Sequence, residues 1–408
     1  MDTITHGILG ALVGKAFFAD DSNVEAGLPR QDASSEAEPW RHKGAATSGN
    51  RLAIGTATLA AVTPDGDVFF GLFNSSDLAA LELHRGFTHS FTCLPLFALG
   101  LAALVRWAAQ RWNFPSPTLR TLTFISAASL ASHILLDLIT SYGTMIWSPL
   151  ANVRAAWDLV FIIDFTFTAI VLLPQAAAWV YRRPRGSAAR ALALWVFFSL
   201  AAVGVEKLTR TVGVAFSPWV VVIAVALFGG LFFLPMRGSW GYAVPRARWC
   251  RAGVYALAGY LLLCAVAHRA ALSRVQEFAA SRGITVEHLG ALPMPPSLLR
   301  WSGLIRANDG VYRAQFTLLD ANAPEFAFTA DAPANRYIEA VREIPAVRTY
   351  LWFARFPVVR YRERNGWHLV EFTDLRFTTG GIRRRAPFVF RVTLNSSGEV
   401  IAHGWAND

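Results

Sequence analysis

An α-helical membrane bundle of about eight apolar segments, followed by a small, mainly antiparallel β domain, is the architecture this sequence predicts. Three observations carry the prediction: long uncharged blocks in the first two thirds, basic residues gathered between alternate blocks, and a change of pattern near residue 290. Mean hydropathy is +0.35 and only 16% of the 408 residues are charged, too few to cover the apolar blocks with a water-facing surface.

The stretches 87–105, 121–143, 158–181, 191–205, 215–236 and 251–267 are nearly free of ionised side chains. Several approach the ~20 residues a helix needs to cross ~30 Å of hydrocarbon. Core helices of a soluble protein would each keep a polar face, and these do not. Segments 3–18 and 51–64 are shorter and read as full spans, tilted spans or re-entrant hairpins. The polar, aperiodic stretch 19–50 reads as a loop. Asp2 and Lys15 argue against a secretory signal over residues 1–18, which would need a basic start and an unbroken apolar core.

The net charge of +10 rests on arginine, since the lysines are Lys15, Lys43 and Lys207 alone. These cations lie between apolar runs, where they set topology, and no nucleic-acid partner is expected. The loops after segments one, three, five and seven hold fifteen basic residues, among them Arg106, Arg111, Arg182, Arg185, Arg246 and Arg251. The loops after two, four and six hold four: Arg85, Arg154, Lys207 and Arg210. The positive-inside rule puts the first set in the cytoplasm of a multi-pass protein of the bacterial inner membrane, and the C-terminal domain in the periplasm. Cys93, Cys250 and Cys264 lie in or beside membrane segments and suggest no disulfide framework.

Beyond residue 290 short β-rich runs appear at Tyr312–Leu319, Val358–Arg362, Trp367–Phe372 and Phe388–Leu394, with a helical stretch near 334–343. Turn signals at Asn308-Asp309-Gly310, Asn365-Gly366, Gly380-Gly381 and Ser397-Gly398 separate them. The chain therefore divides into a membrane domain over 1–275, a connecting segment over 276–289 and a β domain over 290–408, with Pro293, Pro295 and Pro296 at the junction.

Polar chemistry concentrates in the first 165 residues. His6 opens segment one; Asp65 and Asp67 close segment two in Pro-Asp-Gly-Asp; His84, Arg85, Thr88, His89 and Ser90 open segment three. His133 and Asp137 end segment four, and Asp158 and Asp164 open segment five. The predicted topology brings all five patches to the outer face. His133 and Asp137, four apart on a helix, project from one side and can share a metal. Imidazole with carboxylate and no thiolate suits zinc, with manganese and iron also compatible. Ionisable groups at membrane depth are costly, which favours a functional role over a structural one. Gly7, Gly10, Ala11 and Gly14 make a small-residue seam for helix packing. His42, His268, His288, His368 and His403 join no cluster.

Together Met1-Asp2-x-x-Thr5-His6-Gly7, Pro64-Asp65-x-Asp67, His84-Arg85-Gly86-x-Thr88-His89-Ser90, His133-x-x-x-Asp137 and Thr140-Ser141-Tyr142-Gly143-Thr144 resemble the YdjM/YbcI-type proteins, described as membrane-bound, metal-dependent hydrolases. The likeness covers roughly residues 1–170, and Trp157-Asp158 through Asp164 extends it. Phe165 departs from it, standing where a proline is expected. The order of the ligands is also similar to that of zinc-dependent phospholipase C. The resemblance implies a hydrolase acting on a phosphoester or phospholipid at the outer side. His6, Asp65, His89, His133 and Asp137 would hold one or two divalent ions, zinc first. Asp67 would be a bridging ligand or general base, His84 would protonate the leaving group or add a ligand, and Arg85 would hold phosphate. The rivals are a non-enzymatic membrane scaffold whose β domain binds a protein partner, and an ion-coupled transporter.

Overall fold

A computed structural model of the chain describes residues 1–18, 39–73, 78–211, 217–378 and 388–406. Helix α1 (Thr3–Val13) begins where the Asp2 carboxylate accepts the Thr5 amide at 2.9 Å and the Thr5 hydroxyl at 2.7 Å, an N-cap that satisfies an orphan donor of the first turn. It continues as a π turn to Phe18 and packs on α2 (Pro39–Val62) along the glycine seam. A Cβ at Gly10 would stand 2.5 Å from Ala61 Cβ and 2.6 Å from the Ala57 carbonyl, so only glycine permits this approach.

A 3-10 stretch (Thr63–Phe73) follows α2, then the short α3 (Ala79–Leu83) and α4 (Leu94–Arg111). Between Ala79–His89 and Leu94–Arg111 the chain bends by 75°, so segment three is broken at its histidine motif and does not run straight. Helices α5 (Leu119–Leu138), α6 (Phe165–Val180), α7 (Ser187–Thr211), α8 (Pro218–Phe233), the single turn α9 (Trp240–Ala243) and α10 (Arg246–Ser281) complete the helical part. Among the described residues α5, α7, α8 with its extension to Met236, and α10 are long and apolar enough to cross a membrane. The bent pair makes a fifth at most, while Thr3–Phe18 and α6 are shorter apolar helices.

The segment expected from 158 turns helical only at 165. Trp157 and Val160 donate their amides back to Leu138 and Ile139, and Thr144 bridges to Ala155, which holds 139–164 as a folded loop. The Asp164 carboxylate then accepts the Thr166 and Phe167 amides and starts α6.

Helix α10 runs on to Ser281, into the first part of the stretch read as a connector. At 1.5 Å per residue its 36 residues reach about 54 Å, well beyond ~30 Å of hydrocarbon. Its final turns present Ala267, Ala271, Val275 and Ala279, one per turn, to a first antiparallel sheet. That sheet is a meander of β1 (His288–Met294), β2 (Arg300–Ala307), β3 (Gly310–Thr317) and β4 (Ala327–Ala330). A Cβ at Gly303 would lie 2.7 Å from Val275 Cγ2, so this glycine lets sheet and helix meet. Pro293 pairs with Trp301 inside the β1–β2 ladder and is no linker.

The second meander comprises β5 (Pro357–Arg364), β6 (Trp367–Asp374), β7 (Val389–Leu394) and β8 (Val400–Trp405). Helices α11 (Arg336–Arg342) and α12 (Pro345–Phe353) cover it, burying Ile338, Val341 and Tyr350 on Phe372 and Phe390. The Gly380-Gly381 turn lies outside the described residues. One β domain was expected; two sheets are present, joined through Leu304, Val311, Phe356 and Val358. Leu78 and Leu81 of the α3 region belong to the core of the second sheet, which seats this domain beside the histidine motif.

Candidate metal centre

The four donors come from three places along the chain. The 3-10 stretch after α2 offers Asp65, the bend after α3 offers His89, and α5 offers His133 and Asp137 from one face, as their i, i+4 spacing requires. One donor atom from each lies within 4.8 Å of all the others. His89 Nε2 is 3.0 Å from His133 Nε2, 3.2 Å from Asp137 Oδ2 and 3.5 Å from Asp65 Oδ1. His133 Nε2 is 3.5 Å from Asp137 Oδ2 and 3.4 Å from Asp65 Oδ1. Four donors set tetrahedrally at ~2.0–2.1 Å from one ion stand about 3.4 Å apart, so these edges fit a zinc-sized ion.

The outer partners orient the rings. His133 Nδ1 donates at 2.6 Å to the Ala61 carbonyl, which lies in the last turn of α2 and has no partner within that helix. His89 Nδ1 faces Asp67 Oδ2 at 3.3 Å. When neutral, each ring turns its Nε2 lone pair inward, as a metal ligand must. Asp137 Oδ2 is buried without a hydrogen bond, and His89, His133 and Asp137 side chains are fully enclosed. Such an inward cluster of lone pairs and carboxylate oxygens is repulsive until a cation or protons enter it.

Several expected roles change on this geometry. His6 stands outside the group of four: its Nε2 meets the other Asp137 oxygen, Oδ1, at 3.2 Å, and its ring stacks on His133 at 3.7 Å. Asp67 stands outside the group of four, with both oxygens engaged. Its two oxygens take His84 Nδ1 at 2.9 Å, the Arg85 amide at 2.8 Å and Thr88 Oγ1 at 3.2 Å as well as His89. Arg85 is not poised for an external phosphate. It is 2% exposed and spends its terminal nitrogens on Asp137 Oδ1 at 2.9 Å and Thr140 Oγ1 at 2.9 Å. With the Met1 ammonium, 2.5 Å from the same Oδ1, it neutralises Asp137. Arg85 adopts a left-handed φ of 59°, held there by its amide on Asp67 and its carbonyl on the Met145 amide. His84 and Asp65, with side chains 27% and 12% exposed, form the open side of the centre.

Asp158 and Asp164 lie elsewhere. Asp164 caps α6 and accepts Tyr260 Oη at 2.6 Å. Asp158 receives both Arg355 terminal nitrogens at 3.0 and 2.8 Å, tying the loop before α6 to the β domain. Burial works against the Arg355 cation, and the Asp158 carboxylate more than offsets it, leaving its pKa above the ordinary value. His268, His288, His368 and His403 join no ligand group among the described residues; His42 has no described side chain.

A brace that composition did not reveal surrounds Tyr142. Its ring lies against Arg85, Arg154 and Phe353. Arg154 donates to the carbonyls of Leu81, His84 and Gly143 and stacks on Trp352 and Phe353 of α12. Arg376 donates to the Ser141 carbonyl at 3.1 Å. Burial pulls the Arg154 guanidinium down to about 10, still charged at neutral pH, and pushes the Tyr142 phenol up. Arg154 is visible in the sequence only as one more loop cation, and nothing there marks Arg376.

A family model of the YfhP C-terminal alpha/beta plait domain matches residues 336–407, the region of the second sheet. No curated protein and no solved structure matches the chain. A model of the YdjM inner membrane protein family matches residues 1–211, which hold all four donors, and the chain belongs to that family.

Proposed function

We propose that this protein is a metal-dependent hydrolase of the inner membrane, cleaving a phosphoester of a membrane lipid at the outer face. The observation that carries the reading is the enclosed donor group of Asp65, His89, His133 and Asp137, whose donor atoms all lie within 4.8 Å of one another, with both His Nε2 atoms turned inward. One ion is favoured over two. The opposite side of Asp137 is taken by the Met1 ammonium and Arg85, which would repel a second cation. The set is rich in oxygen and imidazole and suits zinc, with manganese and iron as alternatives. When bound, such an ion acidifies water and polarises a phosphoryl oxygen.

In this reading Asp67 holds His89 in its donor tautomer. His84, half-open and hydrogen-bonded to Asp67, exchanges a proton with the leaving group. Arg85 keeps Asp137 ionised. Exposed Ile4, Val68, Phe69 and Phe87 flank the motif and favour a substrate delivered from the bilayer. The arginine bias supports eight embedded segments, with the centre and β domain on the periplasmic side.

The test is metal per chain and lipid phosphoester hydrolysis by the full-length protein in detergent. The wild type is expected to hold one ion and turn over. Asp137→Asn keeps the volume but loses the charge, His133→Ala loses a donor, and both should lose ion and activity. A wild type that stays folded yet binds no ion on reloading would overturn the reading.

A further inference from the structure

A trough of about 590 Å3 runs between α1, α6 and α7, with Thr58 of α2 also in its lining. Its walls include Ile8, Leu172, Trp179, Leu194 and Phe197, and its ends differ sharply. Ile4 marks the end beside the metal centre; Lys15 and Arg246 mark the other. Eleven residues of helix separate Ile4 from Lys15, about 16 Å, or half of ~30 Å of hydrocarbon. Trp179 is 41% and Phe197 59% exposed, so the trough opens sideways, where lipid would lie.

Among the described residues the charged end is unbalanced. Lys15 Nζ donates to Gln175 Oε1 at 2.6 Å. Gln175 is held in that orientation because its amide nitrogen serves the Ile8 and Val171 carbonyls, each at 3.0 Å. An ammonium has three donors, and among the described residues only this one is used. Arg246 is exposed, and among the described residues no carboxylate pairs with it or with Lys15. It opens α10, whose N-cap Pro245 offers no side-chain acceptor, and the positive end of that long helix adds to the same potential.

We propose that this trough is a binding site for one anionic phospholipid of the leaflet opposite the metal centre. Its phosphodiester sits between Lys15 and Arg246, and one acyl chain lies along α1 toward Ile4. The lipid is not the hydrolysed substrate: His6 and Lys15 are nine residues apart, about 14 Å, which keeps this phosphate away from the donors. It packs along α1 and reaches Thr58 of α2, filling the space between these helices and α6 and α7. The site is independent of the hydrolase reading.

The test is native mass spectrometry of the full-length protein in detergent, titrated with dioleoyl phosphatidylglycerol or dioleoyl phosphatidylcholine. One phosphatidylglycerol should bind, about tenfold more tightly than phosphatidylcholine, because both offer a phosphodiester but the quaternary ammonium of choline is repelled by Lys15 and Arg246. Lys15→Gln and Arg246→Gln should each remove most of that preference. Ala176→Trp, which fills the trough, should weaken binding of both lipids with the cations intact. Equal binding of the two lipids, or a preference unmoved by the charge substitutions, overturns the proposal. Should a variant fail to fold, the wild type decides by melting: phosphatidylglycerol must raise its midpoint and phosphatidylcholine must not.

Discussion

Gly10→Ala adds one methyl group at the tightest helix contact in the N-terminal half. That methyl would lie 2.5 Å from Ala61 Cβ and 2.6 Å from the Ala57 carbonyl oxygen, and both neighbours are helix backbone or its first side-chain atom. Carbon contacts settle at ~3.5–4.0 Å, so α1 and α2 must part by about 1 Å. Overpacking of this kind costs about 1–3 kcal/mol. His6 lies one turn earlier on the same face of α1, and Thr3 holds Asp65 Oδ2 at 2.6 Å, so the displacement reaches the donors. Gly55→Ala is the matched control: nothing stands within 4 Å of its added methyl, and a helical glycine replaced by alanine gains about 0.5–1 kcal/mol. Thermal unfolding in detergent and metal per chain should both fall in the first variant and hold or rise in the second. If Gly10→Ala melts with the wild type and keeps its ion, the seam does not position the centre.

Asp67→Asn should weaken metal affinity by about 10–100-fold in a chelator competition although it removes no donor, because it loosens His89; an unchanged affinity would count against the orienting role. Arg355→Gln and Asp158→Asn should show a coupling of about 0.5–3 kcal/mol in a double-mutant cycle of thermal unfolding, and strict additivity would mean that the bidentate pair does not dock the β domain. Stripping the ion with a chelator should lower the melting midpoint of the wild type and leave that of His133→Ala unmoved; equal shifts would point to a chelator effect elsewhere. A reporter fused after residue 408 should be active in the periplasm, and activity confined to the cytoplasm would reverse the assigned orientation.

The parts legible in the sequence were those with a period or a composition. His133 and Asp137 share a helix face because four residues make about one turn, and the β domain announces itself through alternation and turn pairs. The 75° bend at the histidine motif was not legible, since it depends on Arg85, Ser90 and the 145–148 backbone meeting across the fold. Asp67 looks in sequence like a ligand equal to Asp65; only its contacts with Arg85, His84 and Thr88 show that its oxygens are spoken for. The extension of α10 beyond residue 275 was hidden by Arg269, Arg274 and Glu277, which read as a boundary although the buried alanines continue every fourth residue.

The grip of Arg154 has a bearing on how the protein matures. Every donor is synthesised before residue 140, yet Trp352, Phe353 and Arg376, which clamp Arg154 and Tyr142 over the histidine motif, emerge from the ribosome more than two hundred residues later. A nascent chain thus carries its ligands early and its clamp last. An ion held by these donors would enter most easily at that half-braced stage, before α12 and the turn carrying Arg376 close over the histidine motif. A chain arrested before α12 would keep all four ligands and exchange its ion freely, while the finished protein would exchange it slowly.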